Sequence, residues 1–135
     1  MKGIEQIKEA VAAFEAVSWS SCGETNIDCA VPGELPFGWV KFGIKKSETG
    51  WRTLEFLAWV FDDLRRAKER IQFTPTAPPP YLNEPGSCLS FVIECFPKDG
   101  DQETRFRKVA EFIDWCRHEH WRECLPGTKD SRTKA

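Results

Sequence analysis

A chain of 135 residues is long enough for one domain with a core of its own. Its 41% apolar and 30% charged residues give a globular balance rather than a disordered or membrane-embedded one. A net charge of −2 provides no overall field favouring nucleic acid or an anionic membrane surface.

The unusual count is aromatic, with six Trp and ten Phe against one Tyr and one Met. Tryptophan buries a large area and is enriched at interfaces, so some of these rings are expected to meet a partner. No apolar run approaches the ~20 residues of a membrane span, so no membrane partner is expected. Charges interrupt the opening Met1-Lys2-Gly3-Ile4-Glu5, where a secretory signal would need an apolar stretch. The expectation is a cytoplasmic protein whose cysteines stay reduced rather than forming a disulfide framework.

Ile4, Ile7, Val11, Phe14 and Val17 recur at helical spacing and predict a first amphipathic helix. Ser18 to Thr25 is small and polar and reads as a loop. Asn26–Val31 and Phe37–Lys45 read as strands of a hairpin around Pro32-Gly33-Glu34-Leu35-Pro36. The second strand alternates, with Val40, Phe42 and Ile44 on one face and Trp39, Lys41, Gly43 and Lys45 on the other. Ser47-Glu48-Thr49-Gly50 gives polar start signals for a long helix reaching Glu69.

Arg70–Thr74 alternates again, and a proline-rich loop runs from Pro75 to Ser87. Cys88–Phe96 is the most apolar strand, with Leu89, Phe91, Ile93 and Cys95 on one face. A third helix is expected from Gln102 to Cys124, stopped by Pro126-Gly127, with residues 128–135 expected to form a disordered tail. Residues 1–127 therefore read as a single α+β domain. An N-terminal helix is followed by two strand-strand-helix units, giving a four-stranded, mainly antiparallel sheet with helices on one face. This element order is comparable to that of chaperones of bacterial secretion systems, an analogy of topology without shared motifs. The phrase Glu55-Phe56-Leu57-Ala58-Trp59 returns as Glu111-Phe112-Ile113-Asp114-Trp115, either the trace of a duplication or a coincidence in an aromatic-rich chain.

Chemistry-bearing motifs dissolve on inspection. Cys116, His120 and Cys124 fall at i, i+4 and i+8 of the third helix, but the outer two stand about 12 Å apart along the axis, too far for one ion. They share a stripe with Phe106, Val109, Ala110, Ile113 and Trp121, so a core face explains them better than a metal site does. No metal and no cofactor is expected. Cys22, in Ser20-Ser21-Cys22-Gly23, would need His118 or His120 as a base to act as a nucleophile. No phosphate-binding glycine pattern and no serine nucleophile elbow occurs. Asp62, Asp63 and Glu119 sit beside Arg and Lys, as on solvated helix faces.

Binding surfaces remain. Phe56 and Trp59 lie off the stripe of Leu54, Leu57, Ala58, Phe61 and Leu64, and Phe112 and Trp115 lie off that of Phe106, Val109, Ile113 and Cys116. A large apolar patch of that kind marks a protein interface. Pro78-Pro79-Pro80-Tyr81 matches the pattern that WW-type domains recognise, which adds Tyr81 to the partner surface. On the open sheet face Trp39, Lys41, Lys45 and Arg70 offer an alternative surface for single-stranded nucleic acid or a small anionic ligand. The cations Arg65, Arg66, Lys68 and Arg70 also complement the end of the second helix. The expected function is a non-enzymatic protein-binding domain of chaperone, toxin-immunity or inhibitor type. It would act as a homodimer or on another protein, and a Cys-dependent enzyme is the weaker alternative.

Overall fold

Helical spacing and period-two alternation sort the described residues of a computed structural model (1–24, 37–77, 88–98 and 100–124) into three helices and four strands. In chain order these are α1 (Gly3–Ala12), β1 (Val17–Glu24), β2 (Gly38–Lys45), α2 (Glu48–Arg66), β3 (Ile71–Pro75), β4 (Cys88–Cys95) and α3 (Gln102–Cys124). The strands form one antiparallel sheet in the order β1-β2-β4-β3. The α+β architecture, a helix followed by two strand-strand-helix units, is the one expected.

Register decides which side chains meet. Val40 pairs with Ile93, Phe42 with Phe91 and Ile44 with Leu89, and Phe73 of β3 lies across from Ile93. These residues turn to the same side of the sheet. There Phe42, Phe61, Phe73 and Phe91 pack with ring centroids 5.2 to 6.2 Å apart. Ile4, Ile7 and Val11 of α1, Leu57, Val60 and Phe61 of α2, and Val109 and Ile113 of α3 close over them in one buried cluster. Most of the Phe excess is thus spent on the core.

Two boundaries in the first part of the chain differ from the sequence expectation. The first helix ends at Ala12, not near Val17. Phe14 is still buried, but it lies in the tight turn where Phe14 N–H donates to Val11 O and Val17 N–H donates to Phe14 O. Residues 18–24 of the expected loop Ser18–Thr25 belong instead to strand β1, and Thr25 lies outside the described residues. Its signal was muted because the core-side residues, Ser20 opposite Phe42 and Cys22 opposite Val40, are small. Its large residue, Trp19, points to the other face opposite Gly43. The first expected strand, Asn26–Val31, and its turn lie outside the described residues, as does the expected tail 128–135.

Local chemistry fixes the ends of α2. Ser47 Oγ accepts from Gly50 N–H at 3.0 Å, an N-cap contact. A Cβ on Gly50 would stand 1.8 Å from Lys45 O, so only glycine lets the helix start hard against the end of β2. The helix stops at Arg66, three residues short of expectation. Lys68 adopts a left-handed φ of 72°, with its N–H donating to Arg65 O and Glu69 N–H to Leu64 O.

Arg105 then ties α3 to this corner. Its Nε and Nη2 donate to Glu69 Oε1 at 3.3 and 2.7 Å, and its Nη1 to Phe96 O at 3.2 Å. At the other end, Gly3 N–H donates to Glu103 Oε2 at 2.7 Å, so a carboxylate of α3 satisfies the first turn of α1.

The order β1-β2-β4-β3 maps onto itself when the two hairpins are exchanged, as a duplication would leave it. The helices break that symmetry. α2 packs on β2 and β3, whereas α3 packs chiefly on α1. The two copies of the repeated phrase consequently sit in unlike surroundings.

Candidate functional site: an aromatic seam between two helices

Trp51, Glu55 and Trp59 fall at i, i+4 and i+8 and make one ridge of α2. Trp51 and Trp59 are 51% and 49% exposed, and Trp115 of α3 is 53% exposed. These are the largest apolar side chains left in solvent among the described residues. Trp59 and Trp115 are linked by His120, whose ring lies edge-on to both, with centroids 5.9 and 5.4 Å away. The seam continues inward through Phe56, 5.9 Å from Trp59 and 5.2 Å from Trp121. It ends at Phe14, 5.2 Å from Trp121 at an interplanar angle of 80°. Seven rings thus run from the surface to the core, counting Phe112, which stacks on Trp115 at 6.2 Å.

Of the four residues expected off the core stripes, two are exposed. Trp59 and Trp115 stand out as expected. Phe56 does not: it is 5% exposed and belongs to the core cluster. Ala58, placed on the stripe by the sequence, is exposed instead. The reason is that α2 is covered on two sides, by the sheet and by α3. Its buried arc of Thr53, Phe56, Leu57, Val60, Phe61 and Leu64 is therefore rotated toward Phe14 and Trp121.

Phe112 is half-buried and packs against the core cluster, so it supports Trp115 rather than facing solvent alone. Sequence reasoning missed Trp51, although its spacing of eight from Trp59 on one helix carried the signal. It also assigned His120 to the core stripe, whereas the ring sits half-buried at the rim.

A recess of about 370 Å³ opens beside the seam, lined by Arg52, Glu55, Phe56, Trp59, His120, Glu123 and Cys124. Cys116 lies deeper and is fully buried, and burial pushes its thiol up to about 11. Among the described residues no three His, Cys, Asp or Glu side chains are grouped so as to hold a metal ion.

Cys22 is not in an exposed loop but on the core side of β1, half-buried. Burial raises its pKa, Lys8 opposes the rise, and Glu5, Glu24 and Glu9 add to it. A half-buried thiol whose pKa is raised by partial burial and three carboxylates carries less thiolate and is a weaker nucleophile.

The outer face of the sheet gathers Trp39, Lys41 and Lys45 as expected, together with Trp19. The tryptophans do not stand free. A Cβ on Gly23 would lie 2.6 Å from Trp39 Cζ2, and one on Gly43 would lie 2.1 Å from Trp19 Nε1. Each indole therefore lies down on the glycine opposite it in the neighbouring strand. Trp19 Nε1 is buried there without a hydrogen-bond partner. Lys41 Nζ stands 5.3 Å from the Trp39 ring centroid, and Glu94 pairs across from Trp39.

Arg70 is exposed at the far corner and donates to Pro97 O at 2.9 Å. Arg65 and Arg66 of the expected basic cluster both face Asp62, at 3.7 and 3.1 Å. Tyr81 and most of its loop lie outside the described residues. No helix among the described residues is long and apolar enough to cross a membrane. Compared with family models, with curated proteins and with solved structures, the chain finds no match.

Proposed function

We propose that the chain is a non-catalytic protein-binding domain that buries the α2/α3 aromatic seam against another polypeptide. The observation that carries this reading is the joining of half-exposed Trp59 and Trp115 through one histidine ring, with Trp51 two turns away on the same ridge. Large, rigid rings of this kind dominate interface energies because they bury much area at little conformational cost. Chaperone, toxin-immunity and inhibitor roles all work through such a surface, and a second copy of this chain is one partner that it suits. The outer sheet face supports nucleic-acid or anion binding less well. Its two indoles pack on glycines, and the nearest lysine is already engaged with Trp39.

Light scattering on the purified chain, with mass spectrometry of whatever is retained with it, tests the reading. The wild type is expected to form an assembly heavier than its own 15.5 kDa. Trp59→Ala with Trp115→Ala should lose that assembly, and Trp39→Ala should keep it. An assembly indifferent to Trp59 and Trp115 overturns the proposal.

A further inference from the structure

The recess beside the seam has a charge pattern that a purely apolar interface does not need. Arg52, Glu55, Phe56 and Trp59 occupy one strip of α2, at i, i+3, i+4 and i+7. His120, Glu123 and Cys124 occupy one strip of α3 facing it. Phe56, Trp59 and His120 give the recess aromatic walls, and Glu55 and Glu123 place a carboxylate on each side. Neither carboxylate, nor Arg52, takes part in an ion pair among the described residues. The lining therefore carries one net negative charge.

Two further terms have the same sign. Aromatic faces present negative potential to a cation. Glu123 and Cys124 belong to the last turn of α3, where the helix dipole is negative, although Arg122 in the same turn, outside the recess lining, offsets part of it. The volume of about 370 Å³ accepts a side chain with its aliphatic stem as well as its charged head. A planar guanidinium is the cation that stacks on an indole while its N–H groups donate to carboxylates.

We propose that this recess receives an arginine side chain presented by a basic segment of a partner protein of different sequence. The proposal rests on the reading of the seam as a protein interface and names the chemistry of what docks there.

The test uses N-acetyl-arginine amide as the probe, with the glutamine and glutamate analogues as controls. Binding is followed by the Trp59 indole N–H resonance in the full chain. Saturable binding of the arginine probe alone is expected. Glu55→Gln with Glu123→Gln, both exposed and so tolerated by the fold, should weaken it about tenfold. Arg52→Gln should tighten it, because the competing cation is gone. Equal binding of the three probes, tighter binding of the glutamate analogue, or indifference to the two carboxylates overturns the proposal. So does a self-dimer that Glu55→Gln with Glu123→Gln dissociates, since the occupant would then be a second copy. If Trp59 and Trp115 govern assembly but the arginine probe does not bind, only this inference fails. If assembly ignores both tryptophans, the interface reading fails whatever the probe does.

Discussion

Trp59 and Trp115 on the helix layer and Trp19 and Trp39 on the outer sheet face are the same residue in opposite circumstances. On the sheet, each indole has a glycine across from it in the neighbouring strand, and the missing side chain leaves a berth for the ring. On the helices no such berth exists, because neighbours at i±3 and i±4 all carry side chains, so the rings stand half in solvent. The difference separates tryptophan that completes a fold from tryptophan free to recognise something. Paving a sheet with indoles stabilises the monomer. Leaving indoles half-exposed contributes little until a partner covers them.

The sharpest way to break this comparison is at the point where the helix seam enters the core. Phe56 is the buried end of the seam, packed on Phe14 and Trp121, and a repeated sequence phrase disguises it as a surface residue. Phe56→Ala should cost about 3–5 kcal/mol, the usual range for emptying a buried Phe site. A urea titration showing a loss below about 1 kcal/mol would mean that Phe56 belongs with the exposed rings after all.

Next in size is the berth itself. Gly43→Val places carbon where Trp19 now lies, and the indole cannot move a little, since Nε1 is 2.1 Å from the new Cβ position. An expected loss of about 1–3 kcal/mol follows from overpacking, with Trp19 fluorescence shifted toward that of a solvated indole. Unchanged stability and emission would show that Trp19 does not rest on Gly43, and the contrast with Trp59 would collapse.

How much of this was legible in the sequence depended on which signal each residue carries. β2 and β4 were readable because Val40, Phe42, Ile44, Phe91 and Ile93 alternate at full hydrophobic contrast. β1 was hidden because Ser20 and Cys22 under-report burial, while Trp19 reports the wrong face. Burial on the outer side of a sheet by a cross-strand Trp on Gly needs register to be seen, and register is not local information.

Within α2, periodicity located the helix but not its buried arc, since a helix covered by both a sheet and another helix buries more than one stripe. The recess was illegible for the same reason. Arg52, Glu55 and Glu123 look like solvated helix residues, and His120 like a residue of the core stripe, until α2 and α3 face each other.

A pH-dependent effect tests how dry the side of the sheet under the helices is. Burial pushes the Cys95 thiol up to about 12, with Arg105 opposing and Glu69 assisting. As pH rises past the ordinary value of 9, the unfolded chain releases this proton while the folded chain retains it. The contribution of Cys95 is therefore constant below pH 9 and turns progressively against the native state between about 9 and 12. Replacing it by valine, close in volume, should flatten that part of the alkaline stability curve. A wild-type curve with the same slope as Cys95→Val would show that the thiol reaches water.

The smallest change in monomer stability is expected where the functional change is largest. Trp59→Ala with Trp115→Ala removes two half-exposed rings whose nearest ring neighbours are Phe56, Phe112 and His120, so the intrinsic loss should stay within about 1 kcal/mol. Measured on a self-associated chain, however, the loss will look larger at high protein concentration. Association stabilises the native state by mass action and makes the unfolding midpoint depend on concentration. The two contributions separate on dilution. Wild-type and variant midpoints should converge toward the small intrinsic difference if a second copy covers the seam. They should differ by that small amount at every concentration if the partner is another protein. A large, concentration-independent loss would instead make Trp59 and Trp115 part of the monomer's own packing, like Trp19 and Trp39, and the distinction between the two faces would be lost.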